Sequence, residues 1–218
     1  MSAAARAISG ERPPWDPETR RLLIEWLSLP RERPAELLGG RIVEKNMATL
    51  THGAAQGGIF AQLFALQGRR ASQGDPPGGG SGWWLTQEVD LYLGGEGMRP
   101  DVAGWRIDRH PTPPGRFNVE GHLGVIVTPP DWVCEVLSTS TASQDLGRKW
   151  RAYQRAGVSW YWLVSVPHQS LTVYRRTELS YELCETATPG APVSLPPFET
   201  IAFHVAPLFL PEPDAGHR

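Results

Sequence analysis

The chain has 218 residues, 40% of them hydrophobic and 20% charged, with a formal net charge of -2. That length suffices for a buried core and the composition is globular, which excludes a disordered or membrane-spanning chain. The near-neutral charge excludes a whole-molecule basic field, so a nucleic-acid partner would have to be held by local patches.

Residues 1–15 read as a loose arm without the apolar core of a signal peptide. Asp16-Pro17-Glu18 predicts a helix start, with a capping carboxylate, proline at the first helical position and acid in the first turn. The helix carries Leu22, Leu23, Trp26 and Leu27 at helical spacing and stops before Pro30. Residues 36–47 predict a hairpin pivoting on Gly39-Gly40. A second helix is expected from His52 to Leu66, with Ile59, Leu63 and Leu66 on one face. Arg69 to Gly82 is a Gly/Pro-rich loop, with neither a Walker lysine nor Gly-x-Ser-x-Gly spacing.

Trp84 to Leu93 alternates as one strand, turns at Gly94–Gly97 and returns through Asp101–Trp105 as its partner. Residues 107–130 are punctuated by proline and read as a long excursion, either a functional loop or disorder. A strand over Asp131–Leu137 and a helix over 143–156 follow, with Gly157 as the left-handed stop. Further strands are expected at 160–166, 171–176, 181–185 and 198–210. This order predicts an α/β fold, a mixed sheet flanked by helices, with a right-handed crossover through 143–157. One domain over 16–210 is expected, with 1–15 and 211–218 as loose termini. Two cysteines, Cys134 and Cys184, suit neither a disulfide framework nor a zinc site, and a cytoplasmic location with no membrane partner is expected.

Three residues stand out chemically. Alternation along Asp131–Leu137 puts Glu135 in the middle of an apolar strand, where an uncompensated carboxylate is costly. An arginine partner, or a strand end already at solvent, would explain it without function. On the next helix Lys149 borders the apolar stripe of Leu146, Trp150 and Tyr153, from where its stem reaches back toward the preceding strand. An ion pair with Asp145 is the plain alternative, worth only about 0.2–0.5 kcal/mol. Yet the chain writes arginine almost everywhere and has lysine only at Lys45 and Lys149. A site that orients or deprotonates a water favours a compact ammonium whose pKa can fall, which a guanidinium cannot supply. Asp101, after Arg99-Pro100 at the start of a returning strand, is a second acid held close to the sheet, or simply a turn aspartate.

Arg-Pro-Asp-Val-Ala (99–103), Asp-Trp-Val-Cys-Glu-Val-Leu-Ser-Thr-Ser-Thr (131–141), Asp-x-x-x-Lys-x-x-x-Tyr (145–153) and Ala-Gly-Val-Ser-Trp-Tyr-Trp-Leu-Val (156–164) together resemble the Uma-type restriction endonuclease family. That family belongs to the PD-(D/E)XK nuclease superfamily. Glu-Leu-Leu-Gly-Gly-Arg-Ile-Val-Glu (36–44) and His52 are similar to its opening segment, and the resemblance covers about residues 20 to 210. It implies a restriction-endonuclease-like fold and metal-dependent phosphodiester cleavage, with Asp101 and Glu135 as ligands of Mg²⁺ or Mn²⁺ and nucleic acid, foremost DNA, as partner. Where the superfamily usually has lysine two residues past the acid, this chain has Leu137, so the resemblance implies that Lys149 supplies the amine.

His52, Glu44 and Glu88 are secondary candidates for the metal site or a phosphate contact. Arg148, Arg151 and Arg155 form an outward stripe which, with Arg69-Arg70 and Arg175-Arg176, either grips a phosphate backbone or is a solvated surface. Most of the nine tryptophans are expected in the core or a homodimer interface. Two rival readings stand beside the nuclease: a catalytically silent nucleic-acid-binding or assembly protein, and a phosphodiesterase for a smaller substrate.

Overall fold

The computed structural model describes residues 15–30, 32–45, 47–66, 82–120, 122–137 and 143–211. The terminal arms, Arg69-Arg70, nearly all of the Gly-rich stretch and the side chain of Asp145 lie outside the described residues. Helix α1 (Pro17–Leu27) begins as expected: the Asp16 carboxylate accepts the N–H groups of Glu18 and Thr19, each at 3.0 Å. It buries Leu23 and Trp26, and the Trp26 indole donates to the carbonyl of Ala35 at 2.7 Å, tying the helix to strand β1 (Ala35–Leu38). β1 pairs antiparallel with β2 (Arg41–Glu44) around Gly39 and Gly40, whose φ angles of 60° and 70° are those a two-residue hairpin turn of this hand requires. Helix α2 (Leu50–Leu63) starts earlier than His52 because the Thr49 hydroxyl caps it, accepting from the His52 N–H at 3.2 Å; a 3₁₀ turn carries it to Leu66.

The long strand expected over Trp84–Leu93 is instead two. β3 (Trp83–Gln87) and β4 (Leu91–Leu93) are separated at Glu88, which takes a left-handed φ of 50°. The return is split likewise, into β5 (Glu96–Met98) and β6 (Val102–Arg106) on either side of Arg99-Pro100-Asp101. β3 pairs with β6, and β4 with β5, but in different sheets. The excursion after β6 contains the hairpin β7 (Phe117–Val119) and β8 (His122–Val125).

β9 (Trp132–Leu137) leads into helix α3 (Ser143–Ala156) and back to β10 (Trp160–Ser165), which runs parallel to β9. β11 (Ser170–Arg176) and β12 (Tyr181–Ala187) complete a six-stranded mixed sheet in the order β12-β11-β10-β9-β6-β3. A four-stranded sheet has the order β2-β1-β5-β4. No strand forms over 198–210. The buried residues Phe198, Phe203, Val205 and Leu208 do not alternate, Pro207 lacks an N–H, and the segment closes the core with one bridge, Val193 to Phe203, and a 3₁₀ turn.

The alternation of β9 decides the layering. Trp132, Cys134 and Val136 pack into a cluster with Ala55, Ile59 and Leu63 of α2, whereas Val133 joins Ala152 and Tyr153 of α3 in a second cluster on the other face. Glu135 has the parity of Val133 and so points toward α3. Among the described residues no helix is long and apolar enough to cross a membrane.

Candidate functional site

The double break in the β3–β4 and β5–β6 hairpin creates the site. At the seam between the two sheets, strand pairing stops on both sides, and Glu88 and Asp101 stand there. The exchange of partners is visible in the packing: Trp83 and Leu85 bury into the α2-side cluster, but Val89, Leu91 and Leu93 into the α3-side cluster.

Asp101 is 1% exposed and fully engaged. One carboxylate oxygen accepts the Val136 N–H of β9 at 2.6 Å, and the other lies 3.1 Å from Nε2 of His52. Burial alone would raise this carboxyl, but the His52 hydrogen bond and the nearby Lys45 charge hold it below the usual carboxylate range. The same hydrogen bond raises His52, against its burial. Gln56, one turn along α2, donates to the Asp101 carbonyl at 2.9 Å and to the Glu88 carboxylate at 3.0 Å. One ligand atom from each of His52, Glu88 and Asp101 lies within 4.8 Å of the other two, close enough to share one ion.

Beside this group lies a buried ionic network. The Lys149 ammonium sits 2.6 Å from Glu135 and donates to Glu36 at 2.9 Å; the Tyr153 hydroxyl donates to the same oxygen of Glu135 at 2.9 Å. Burial, with Asp101 and Glu36 adding to it against the pull of Lys149, pushes the Glu135 carboxyl up to about 7. Lys149 does not fall as a general base would: burial opposes its charge, but Glu135, Glu36 and Asp101 together raise it, so it remains an ammonium. Glu36 is held low because the two lysines outweigh its burial, and it also accepts the Arg99 N–H at 2.9 Å.

Of the residues singled out from sequence, Asp101, Glu135, Lys149, His52 and Glu88 thus fall in one connected region. Among the described residues the ion-capable group contains Asp101 but neither Glu135, expected as the second ligand and engaged instead by Lys149 and Tyr153, nor Glu44, whose carboxylate pairs with Arg33 at the surface. Arg148, Arg151 and Arg155 are exposed as expected, and the Arg148 guanidinium lies against Gly39. Sequence reasoning passed over Glu36, Lys45 and Gln56. The first two carried signals already used elsewhere: Glu36 is an acid inside the apolar stretch Ala35–Leu38, like Glu135 in β9, and Lys45 is as rare a residue as Lys149. Among the described residues, four carboxyl groups (Glu36, Glu88, Asp101, Glu135) gather here with the ammonium groups of Lys45 and Lys149, the His52 imidazole and, acting on Glu88, the Arg99 guanidinium.

A family described as "Putative restriction endonuclease", Uma2, matches residues 20–206 of the chain. A crystal structure from Anabaena variabilis ATCC 29413, described as that of a putative nuclease belonging to DUF820, superposes with a TM-score of 0.62. It covers 85% of this chain and 96% of that one at 22% sequence identity, a likeness that speaks for the fold. No curated protein matches the chain.

Proposed function

The chain belongs to the Uma2 family, and from that premise we propose that it is a divalent-metal-dependent endonuclease acting on the phosphodiester bonds of DNA. The observation that supports this reading best is that three ligand atoms, from buried His52 and Asp101 and exposed Glu88, lie within 4.8 Å of one another beside two further buried carboxyl groups, Glu36 and Glu135. An imidazole nitrogen with carboxylate oxygens suits Mn²⁺, and Mg²⁺ with more of its waters retained. His52, Glu88 and Asp101 would hold the ion, and the oxygen of Glu135 not taken by Lys149 and Tyr153 would complete the acidic wall. Such a cation, when bound, supplies Lewis-acid chemistry, withdrawing charge from a phosphoryl oxygen and making a water more acidic.

The protein's own residues do the positioning. Gln56 orients Glu88 and braces the backbone of Asp101. The Val136 N–H aims the Asp101 carboxylate, and Lys149 with Tyr153 holds Glu135 against the cluster. Plasmid nicking by the full chain in Mg²⁺ or Mn²⁺, with RNA and dinucleotide phosphodiesters alongside, tests the reading. Cleavage should vanish in EDTA and fall by roughly 100-fold or more in each of Asp101→Asn, Glu135→Gln and Lys149→Met. A triple variant as active as the wild type overturns it, and hydrolysis of dinucleotides without plasmid cleavage moves the substrate to the smaller class.

A further inference from the structure

The two lysines of the chain come to the same carboxylate oxygen of Glu36, yet they differ in what they leave free. Lys149 is 5% exposed, and its ammonium is engaged by Glu36 at 2.9 Å and Glu135 at 2.6 Å. A phosphodiester cannot reach it without displacing one of those carboxylates. Lys45 is 26% exposed. Among the described residues its hydrogen bond goes to the carbonyl of Arg99 at 3.2 Å, while Glu36 at 3.8 Å and Asp101 at 4.0 Å attract it without a hydrogen bond. An ammonium has three donors, so Lys45 retains donor capacity on its solvent side. Its base is anchored by the Lys45 N–H to the Pro34 carbonyl at 2.7 Å, just past the end of β2.

We propose that Lys45 is the cation that meets the backbone phosphate, and that Lys149 is a positioning residue behind it. This rests on the nuclease reading above. A phosphodiester approaching four carboxyl groups is repelled by them, and a cation beside Asp101, open to solvent, is where that repulsion is offset. A compact ammonium between Glu36 and Asp101 acts as a point charge with rotatable donors, which a planar guanidinium does not reproduce.

With only two lysines, the full chain labelled with ¹³C-lysine gives two Cε resonances, and Lys45→Gln assigns them. On titrating a short DNA duplex with Ca²⁺ in place of Mg²⁺, the Lys45 signal should shift while that of Lys149 stays. In cleavage assays Lys45→Gln should lower kcat by roughly 100-fold with a much smaller change in KM, and Lys45→Arg should recover only part of it. A moving Lys149 signal beside a still Lys45, no movement of either, or a Lys45→Gln variant as active as wild type overturns the proposal. A wild-type protein that binds the duplex through Lys45 and leaves it intact overturns the nuclease reading alone.

Discussion

Glu36 is where the ionic network closes, because it receives Lys149, lies within ion-pair reach of Lys45 and takes the N–H of Arg99, two residues before Asp101. Its carboxyl is a test of what Lys149 contributes. Burial by itself would raise it, and Lys149 foremost, then Lys45, brings it below its ordinary value of 4.5. A carboxylate lowered in the folded state adds stability above its unfolded pKa and loses it as pH falls through the folded one. Lys149→Met removes the main counter-charge, so Glu36 and Glu135 then favour protonation and the variant loses stability as pH rises. Breaking a buried pair in this way costs about 3–5 kcal/mol. Urea denaturation in EDTA should show the full gap from wild type near pH 8, closing toward pH 4. A gap equal at both ends would mean that Lys149 contributes packing rather than charge.

At the level of elements, the seam between the sheets explains what sequence patterning could and could not reveal. The span from Trp83 to Leu93 keeps one parity through its apolar positions, with Trp83, Leu85, Val89, Leu91 and Leu93 all buried and only Gln87 interrupting them. Periodicity therefore reads one strand, although the chain passes from the α2-side cluster to the α3-side cluster at Glu88. Parity survives a left-handed residue; the choice of partner sheet does not. Helix α3 was legible to the residue, since its stripe is amphipathic and Gly157, at φ 90°, ends it. Within the site, Glu135 and Lys149 were legible because strand and helix parity aim both inward. Lys45 and Glu36 were not, because their meeting with Asp101 depends on β1 pairing with β5, a long-range choice. Glu88 joins two roles, bend and charge, that Glu88→Asn separates. Asparagine accepts a left-handed backbone more readily than glutamate does. The variant should keep its unfolding free energy within about 1 kcal/mol, whereas Mn²⁺ affinity by calorimetry falls roughly tenfold or more. Unchanged affinity would exclude Glu88 from the ion's surroundings.

Across the whole molecule, β9 carries chemistry on one face and bulk on the other. Beneath it, Phe198 of the C-terminal segment is ringed by Trp83, Trp132 and Trp162 at centroid distances of 4.8, 4.9 and 5.4 Å, and the Trp162 indole donates to the Pro196 carbonyl. A segment with no regular strand is thus what seals the cluster under the sheet. Phe198→Ala leaves a cavity among three indoles and should cost about 3–5 kcal/mol in urea denaturation, a large part of the roughly 5–15 kcal/mol by which a domain is stable. Glu135 points to the α3 side of the same strand, and His52, Glu88 and Asp101 take their hydrogen bonds from one another, from Gln56 and from the Val136 N–H, none of them from the aromatic ring below. At temperatures where the variant remains folded, its Mn²⁺ affinity should therefore stay within about threefold of wild type, since distant and unshared contacts act nearly independently. If affinity instead falls in step with stability, β9 transmits strain between its faces, and the Val136 N–H that aims Asp101 is the element through which it would do so.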